Sequence, residues 1–175
     1  MALNKVLVAL TALTAMAMPA AAQISSQGGP IYLNSERTES LERERKVLLI
    51  GNVDIQQGDA RLRADTVTLI FAERAATEDS SSGGLGGGFG QIQTMLAEGN
   101  VFYITPEMKA KGDRGSYNAA SDTITMTGNI ALMRERDVAE GEVLTVEVGK
   151  RRTTLDGGNG RTRMVIEPEN KSSGN

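Results

Sequence analysis

The chain has no cysteine, no histidine and no tryptophan. Without cysteine there is no disulfide framework, no thiolate metal site and no lipoprotein anchor. Without histidine, the Ser-His and Cys-His nucleophile pairs, imidazole general bases and His-ligated zinc are excluded together. Three Tyr and three Phe are the only aromatics among 175 residues, which leaves little stacking surface for single-stranded nucleic acid. A formal charge of −3 and an isoelectric point near 5.1 lack the basic footprint that binds phosphate backbones. What remains is the composition of a binding or scaffold protein rather than an enzyme, in a length that suits one domain or two very small ones.

The first 22 residues read as an address. Lys5 is their only charge; an apolar run from Val6 to Met18 follows, then Pro19 and the small residues Ala20, Ala21 and Ala22. A short n-region, an h-region and an Ala-x-Ala site predict a secretory signal cut near Ala22/Gln23. The alternative, an uncleaved membrane anchor, asks for an apolar run of roughly 20 residues, and this one is shorter. The expected mature chain is exported and soluble.

A repeat governs the rest. Gly51-Asn52-Val53, Gly99-Asn100-Val101 and Gly128-Asn129-Ile130 recur, and fourteen residues after each glycine stands an acid: Asp65, Asp113 and Glu142. Fifteen residues after Asp113 and Glu142 come Gly128 and Gly157, and fifteen before Gly51 is Glu36, so the period is 29. One interval carries an excess of 19 residues, visible as the Ser/Gly-rich tract 76–91, which reads as an inserted loop. Thr123–Thr127 and Leu144–Val148 alternate strictly between apolar and polar positions, and no window carries a helical stripe. Each half-repeat is therefore a strand. Turns fall near Gln57-Gly58-Asp59, Ala120-Ser121-Asp122, Glu135-Arg136-Asp137 and Gly149-Lys150-Arg151. Connections this short allow only antiparallel pairing.

The phase of the alternation gives the inward face. Val47, Leu49, Val53 and Ile55 share one parity straight through Gly51, as do Ile124, Met126, Ile130 and Leu132 through Gly128, and Met95, Ala97, Val101 and Tyr103 through Gly99. At the acids the parity slips. Leu62 and Ala64 point inward, but the next inward positions are Val67, Leu69 and Phe71, and Ala139 and Gly141 are followed by Leu144, Val146 and Val148. This predicts long strands bent once, at glycine in one half-repeat and at a β-bulge beside the acid in the next. One acid per 29 residues does not converge on a calcium ion, which needs six to eight oxygens. The expected role of Glu36, Asp65, Asp113 and Glu142 is structural: accepting a backbone N–H left over at the bulge.

Ile50-Gly51-Asn52-Val53, Leu62-Arg63-Ala64-Asp65, Ala97-Glu98-Gly99-Asn100-Val101, Gly112-Asp113-Arg114 and Thr127-Gly128-Asn129-Ile130, with the acidic turn Tyr117–Ile124, resemble the LptA/OstA-like family. The resemblance runs from about Ile31 to Ile166. It implies an all-β fold, a bent antiparallel β-jellyroll built of two-strand repeats. It also implies a function, carrying lipopolysaccharide across the periplasm of Gram-negative bacteria. Among the family's forms, the chain matches the stand-alone soluble one rather than the forms with a membrane helix or an outer-membrane barrel. The implied organisation is a signal at 1–22, a jellyroll at 23–167 with its insertion at 76–91, and a disordered tail at 168–175.

The aliphatic inward positions fit a lining for the acyl chains of lipid A: Leu49, Val53, Ile55, Leu62, Val67, Leu69, Val101, Ile124, Met126, Ile130, Leu132, Leu144 and Val146. About 0.8 kcal/mol per buried CH₂ makes partial cover of several chains sufficient for capture. Periodicity alone allows a plainer alternative, that these residues pack against one another as a core. No catalytic residue, cofactor or metal is expected. The implied partners are lipopolysaccharide, LptC-like inner-membrane and LptD-like outer-membrane proteins of the same fold, and further copies joined head to tail through open sheet edges. The N-terminal edge, with Glu36, Arg37 and Glu39, and the C-terminal edge, with Arg161 and Arg163, carry opposite charge. Lys150, Arg151, Arg152, Arg161 and Arg163 suit lipid phosphates or, equally, a solvated turn and edge strand. Two rival functions stay open, a secreted β-repeat scaffold without lipid and an exported hydrolase using paired carboxylates.

Overall fold

Strands that alternate every second residue satisfy their backbone only by pairing with neighbours. In the structure, a computed structural model that describes residues 29–73 and 91–167, they do so in one antiparallel sheet. The elements are β1 (Ile31–Asn34), β2 (Arg37–Leu41), β3 (Lys46–Gln57), β4 (Ala60–Phe71), β5 (Ile92–Ile104), β6 (Lys109–Asn118), β7 (Thr123–Arg134), β8 (Asp137–Glu147), β9 (Arg152–Asp156) and β10 (Arg163–Val165), with one 3₁₀ turn at Glu42–Glu44. The sheet order follows the chain, as a meander of hairpins requires. β1 and β2 both pair with β3, and β9 and β10 both pair with β8. Each pair is one edge strand broken in two, so six continuous strands lie between two broken ones. The expected signal, the insertion up to residue 90 and the tail lie outside the described residues.

All the strands bend along one line. In each Gly-Asn pair both residues have left-handed backbones: Gly51 and Asn52 (φ 81° and 44°), Gly99 and Asn100 (75° and 46°), Gly128 and Asn129 (81° and 49°). Glycine adopts this conformation freely, and asparagine tolerates it better than most residues. The bent asparagine then points its amide at the acid on the neighbouring strand. Asn100 Nδ2 donates to Asp65 Oδ2 at 2.9 Å, Asn129 Nδ2 to Asp113 Oδ2 at 2.7 Å, and Asn52 Nδ2 to Glu36 Oε1. The glycine is needed for a second reason. A methyl group on Gly99 would sit 2.9 Å from Cγ of Asp65. In the last copy the left-handed residue beside Glu142 is Gly158.

Two sequence expectations change here. The surplus residue of the bulge lies in the Gly-Asn strand, not beside the acid. Ile50 pairs with Thr66 and Val53 with Ala64, so Gly51 and Asn52 together face Asp65 alone; Gly99-Asn100 and Gly128-Asn129 face Asp113 and Glu142 in the same way. A parity slip marks where side chains change face, whereas the surplus is a property of two strands read together. The donor to Glu36, Asp65 and Asp113 is also different from the expected one: it is the asparagine side chain rather than a leftover backbone N–H.

Bent along this line, the sheet folds over until opposite strand ends meet. The β5–β6 turn and the β8–β9 turn lie at opposite ends of their strands, yet Arg151 Nη2 donates to Glu107 Oε1 at 2.7 Å. The apolar face is thereby enclosed without a second layer. Val47, Leu49, Val53, Ile55, Val67, Leu69, Met95, Val101, Met126, Ile130 and Leu144 belong to one buried cluster that runs through both halves. The bend should be sensitive to its glycine: Gly99→Ala is expected to destabilise by about 1–3 kcal/mol through strain and the clash with Asp65. Thermal or urea unfolding measures this, and a variant as stable as the parent would show that the kink does not require glycine.

Candidate functional site

The enclosed interior runs across the strands, from one sheet edge to the other. Pairing registers trace one inward row through it: Leu33, Ile55, Leu62, Tyr103, Ala110, Leu132, Ala139 and Met164. The middle of this row is buried and its two ends are open, with Leu33 42% and Met164 62% exposed. A second row, in the other half of each strand, passes through Leu49, Val67, Ala97, Gly115, Met126, Leu144 and Leu155.

All thirteen aliphatic residues singled out in the sequence face this interior. Twelve of them, namely Leu49, Val53, Ile55, Leu62, Val67, Leu69, Val101, Ile124, Met126, Ile130, Leu144 and Val146, are buried in the cluster, and Leu132 packs against it half-buried. They touch one another closely, and the inner apolar cavity bounded by Leu62, Met95, Ala97, Tyr117, Ile124 and Met126 has a volume of only about 20 Å³.

Sequence reasoning left four important residues out of the lining. Met95 and Tyr103 share the parity of Ala97 and Val101, and that parity was sufficient to include them. Tyr117 was hidden because the other inward positions of β6 are Ala110, Gly112 and Gly115. These are small because Ile130 and Val101 occupy the space above the two glycines. Met108 lies beyond the end of β5, in the turn.

The two tyrosines and Gln57 put polar atoms into an otherwise apolar space. Tyr117 donates to Asp122 Oδ1 at 3.1 Å. Burial pushes the Tyr103 hydroxyl up to about 12, and the neighbouring charges of Asp122 and Glu107 act in the same direction. Where opposite strand ends meet, a more open cavity of about 150 Å³ is lined by Asp59, Ala60, Tyr103, Thr105, Pro106, Glu107, Met108, Arg134, Val146, Val148, Arg151 and Thr153.

The basic residues near the C-terminus lie exposed in a turn and along the sheet edge. Lys150 pairs with Glu147 at 2.7 Å, Arg152 with Glu147 at 3.6 Å and Arg163 with Glu140 at 3.4 Å. The hydrogen bond from Lys150 holds the Glu147 carboxyl below its ordinary range. Charge at the two sheet edges is likewise used within the chain. Arg37 pairs with Glu39, and Glu36 accepts from Asn52. The large side chains left exposed at the edges are Tyr32, Leu33, Met164, Val165 and Ile166. Among the described residues no group of acids is placed to share a metal ion, and no helix is long and apolar enough to cross a membrane.

The family model described as "LptA/(LptD N-terminal domain) LPS transport protein" matches residues 32–152. The chain belongs to this family. It is similar to an uncharacterized protein of Rhizobium meliloti, 25% identical over 149 residues that cover 85% of this chain and 76% of that one. It is also similar to the LPS-assembly protein LptD of Yersinia enterocolitica, 26% identical over 130 residues, 74% of this chain. That match spans only 15% of the LptD length. Among solved structures the fold matches LptH, the LptA homologous periplasmic component of the lipopolysaccharide transport device of Pseudomonas aeruginosa. The TM-score is 0.64, the identity 19%, and the match covers 79% of this chain and 96% of LptH. The bent antiparallel β-jellyroll is the architecture of this family, and family and fold are those of a transport or binding protein.

Tyr103 makes the interior's polarity measurable. Its hydroxyl loses its proton near 10 in the unfolded chain and near 12 in the folded one. Its contribution to stability is therefore complete below pH 10 and is lost as pH rises from 10 through 12. The difference corresponds to roughly 2–3 kcal/mol. Urea melts between pH 9 and 12 should show a shallower alkaline decline in Tyr103→Phe than in the parent. Identical declines would mean that the hydroxyl is not held in an apolar environment.

Proposed function

We propose that the protein is a periplasmic carrier of lipopolysaccharide, exported by a signal at 1–22 that is cleaved near Ala22/Gln23, and that its apolar interior holds the acyl chains of lipid A. The observation that carries this reading is the inward row from Leu33 to Met164. It is an unbroken apolar path across the whole sheet, buried in the middle and open at both edges. Membership of a family of LPS transport proteins supplies the substrate class. The tight packing of the interior favours a second reading, a β-repeat scaffold that binds no lipid.

A photo-crosslinking residue at Val53 or Ile130, on the inner face, is expected to capture lipopolysaccharide in cells. The same residue at Asp54, held on the outer face by Arg61, is not. Equal capture at all three positions would refute an interior site, and no capture anywhere would leave the scaffold.

The same reading assigns the edges to assembly by β-strand addition, with further copies or with LptC-like and LptD-like partners. Counted with its two broken members, the sheet is eight strands wide. An even number means that the first and last strands run in opposite directions. A second copy in the same orientation therefore extends the antiparallel pairing, as a head-to-tail contact that propagates. Carrying the rows across the junction sets Met164 opposite Leu33 of the next copy, on the inner face. With most edge charge already paired, the contact should depend on backbone hydrogen bonds and on Leu33, Tyr32, Met164, Val165 and Ile166, and should resist salt. The native chain has no cysteine, so Leu33→Cys and Met164→Cys molecules mixed under oxidation should cross-link. Tyr32→Cys with Met164→Cys, which face opposite sides, should not. Equal cross-linking of both pairs would exclude this register.

A further inference from the structure

The inner cavity of about 20 Å³ has no room for an acyl chain, so a lipid that enters from the side of the sheet, rather than from its two open edges, must do so where the wall parts. Around most of its circumference the wall is a continuous hydrogen-bonded sheet, and at the kink line it is bent but unbroken. The exception is the seam where strand ends from the two halves meet. Across it, side-chain contacts join the two halves. Arg151 holds Glu107 at 2.7 Å, Thr153 Oγ1 donates to Met108 Sδ at 3.9 Å, and Arg134 Nη2 donates to Thr153 Oγ1 at 3.5 Å. The ion pair is formed by two side chains that are 71% and 67% exposed, a class of contact that contributes little to stability. Directly behind it lie buried Tyr103, Met108, Val146 and Val148, the outer wall of the apolar core, and the cavity of about 150 Å³ opens at this point.

Resting on the lipid-carrier reading, we propose that this seam is the door through which acyl chains enter the interior, and that the Glu107–Arg151 pair is its latch. The two sides are suited to separate as units. The β5–β6 tip is braced within itself, with Thr105 N donating to Met108 O at 2.8 Å and Met108 N to Thr105 Oγ1 at 3.2 Å. The β8–β9 turn is braced likewise, with Arg151 N donating to Val148 O at 3.2 Å. Opening therefore breaks these side-chain contacts and, among the described residues, no strand pairing, and the Gly-Asn line is the hinge. Arg151, released from Glu107, and Arg134 then stand at the rim, where an anionic headgroup would lie above chains inserted below it. An anion that competes with Glu107 for Arg151 opens the latch as it arrives.

The test uses the full chain carrying Glu107→Cys and Arg151→Cys, bridged by a short reducible bismaleimide. The probe is lipid A with one fluorescent acyl chain, presented in detergent micelles. A cross-strand pair on the outer face, Thr125→Cys with Thr145→Cys, serves as a bridged control. Bridging the seam should slow loading at least ten-fold. Reduction should restore it, and the control should load like the parent. Glu107→Gln without a bridge should load about two- to five-fold faster, with the same amount bound at equilibrium. Undiminished loading of the bridged seam would overturn the door and point to entry from the sheet edges. An unchanged rate in Glu107→Gln would remove the latch. If the parent chain takes up no probe at all, the carrier reading fails, and the door with it.

Discussion

A hydrogen bond from a left-handed asparagine to a carboxylate on the neighbouring strand is what makes this sheet a container. Left flat, strands of twelve residues would present a wide apolar face with nothing to cover it, because the described chain supplies no helix or second sheet. Folding the sheet along its middle solves this with the sheet itself. Each left-handed asparagine is unfavourable by roughly 1–2 kcal/mol in isolation. The carboxylate on the next strand offsets that strain with a charge-assisted hydrogen bond and fixes the direction of the bend. Because glycine and acid keep constant offsets in the repeat, the kinks of successive strands fall on one line, and the sheet folds as a hinge does.

Much of this could be read from the residues. Strict alternation at Thr123–Thr127 and Leu144–Val148 predicts strands; β7 contains the first, and β8 contains the second up to Glu147. The four turns sit where the chain reverses, and the unbroken parity through Gly51, Gly99 and Gly128 identified the buried face. The misplaced bulge shows the limit of such reading. Asp65 carries the visible slip in alternation, but whether a strand has one residue too many is decided only against its partner. The seam was out of reach for a related reason. Glu107 and Arg151 are 44 positions apart in different repeats, and their meeting depends on the angle of the fold, which no local period encodes. Tyr117 was masked by its own strand, whose small inward residues accommodate neighbours and so break the apolar rhythm.

Tight packing and cargo transport are compatible on physical grounds. Acyl chains and aliphatic side chains offer similar dispersion contacts, so a lipid entering the core exchanges one set of apolar contacts for another. A carrier that gaped when empty would expose a large apolar surface, which soluble proteins avoid. Aliphatic residues suit the exchange. Apart from Tyr103 and Tyr117, the described interior has no aromatic ring fully inside it to be displaced.

The even number of strands also decouples size from chemistry. Each 29-residue repeat contributes two strands and therefore about 10 Å along the interior axis, at 4.7–4.9 Å per strand. An added or deleted repeat restores the direction of the edge strand, so both ends keep their polarity and their exposed residues while the path between them changes in fixed steps. The length of the interior is thus a quantity that gene duplication can adjust in units, without any new surface having to arise at either end.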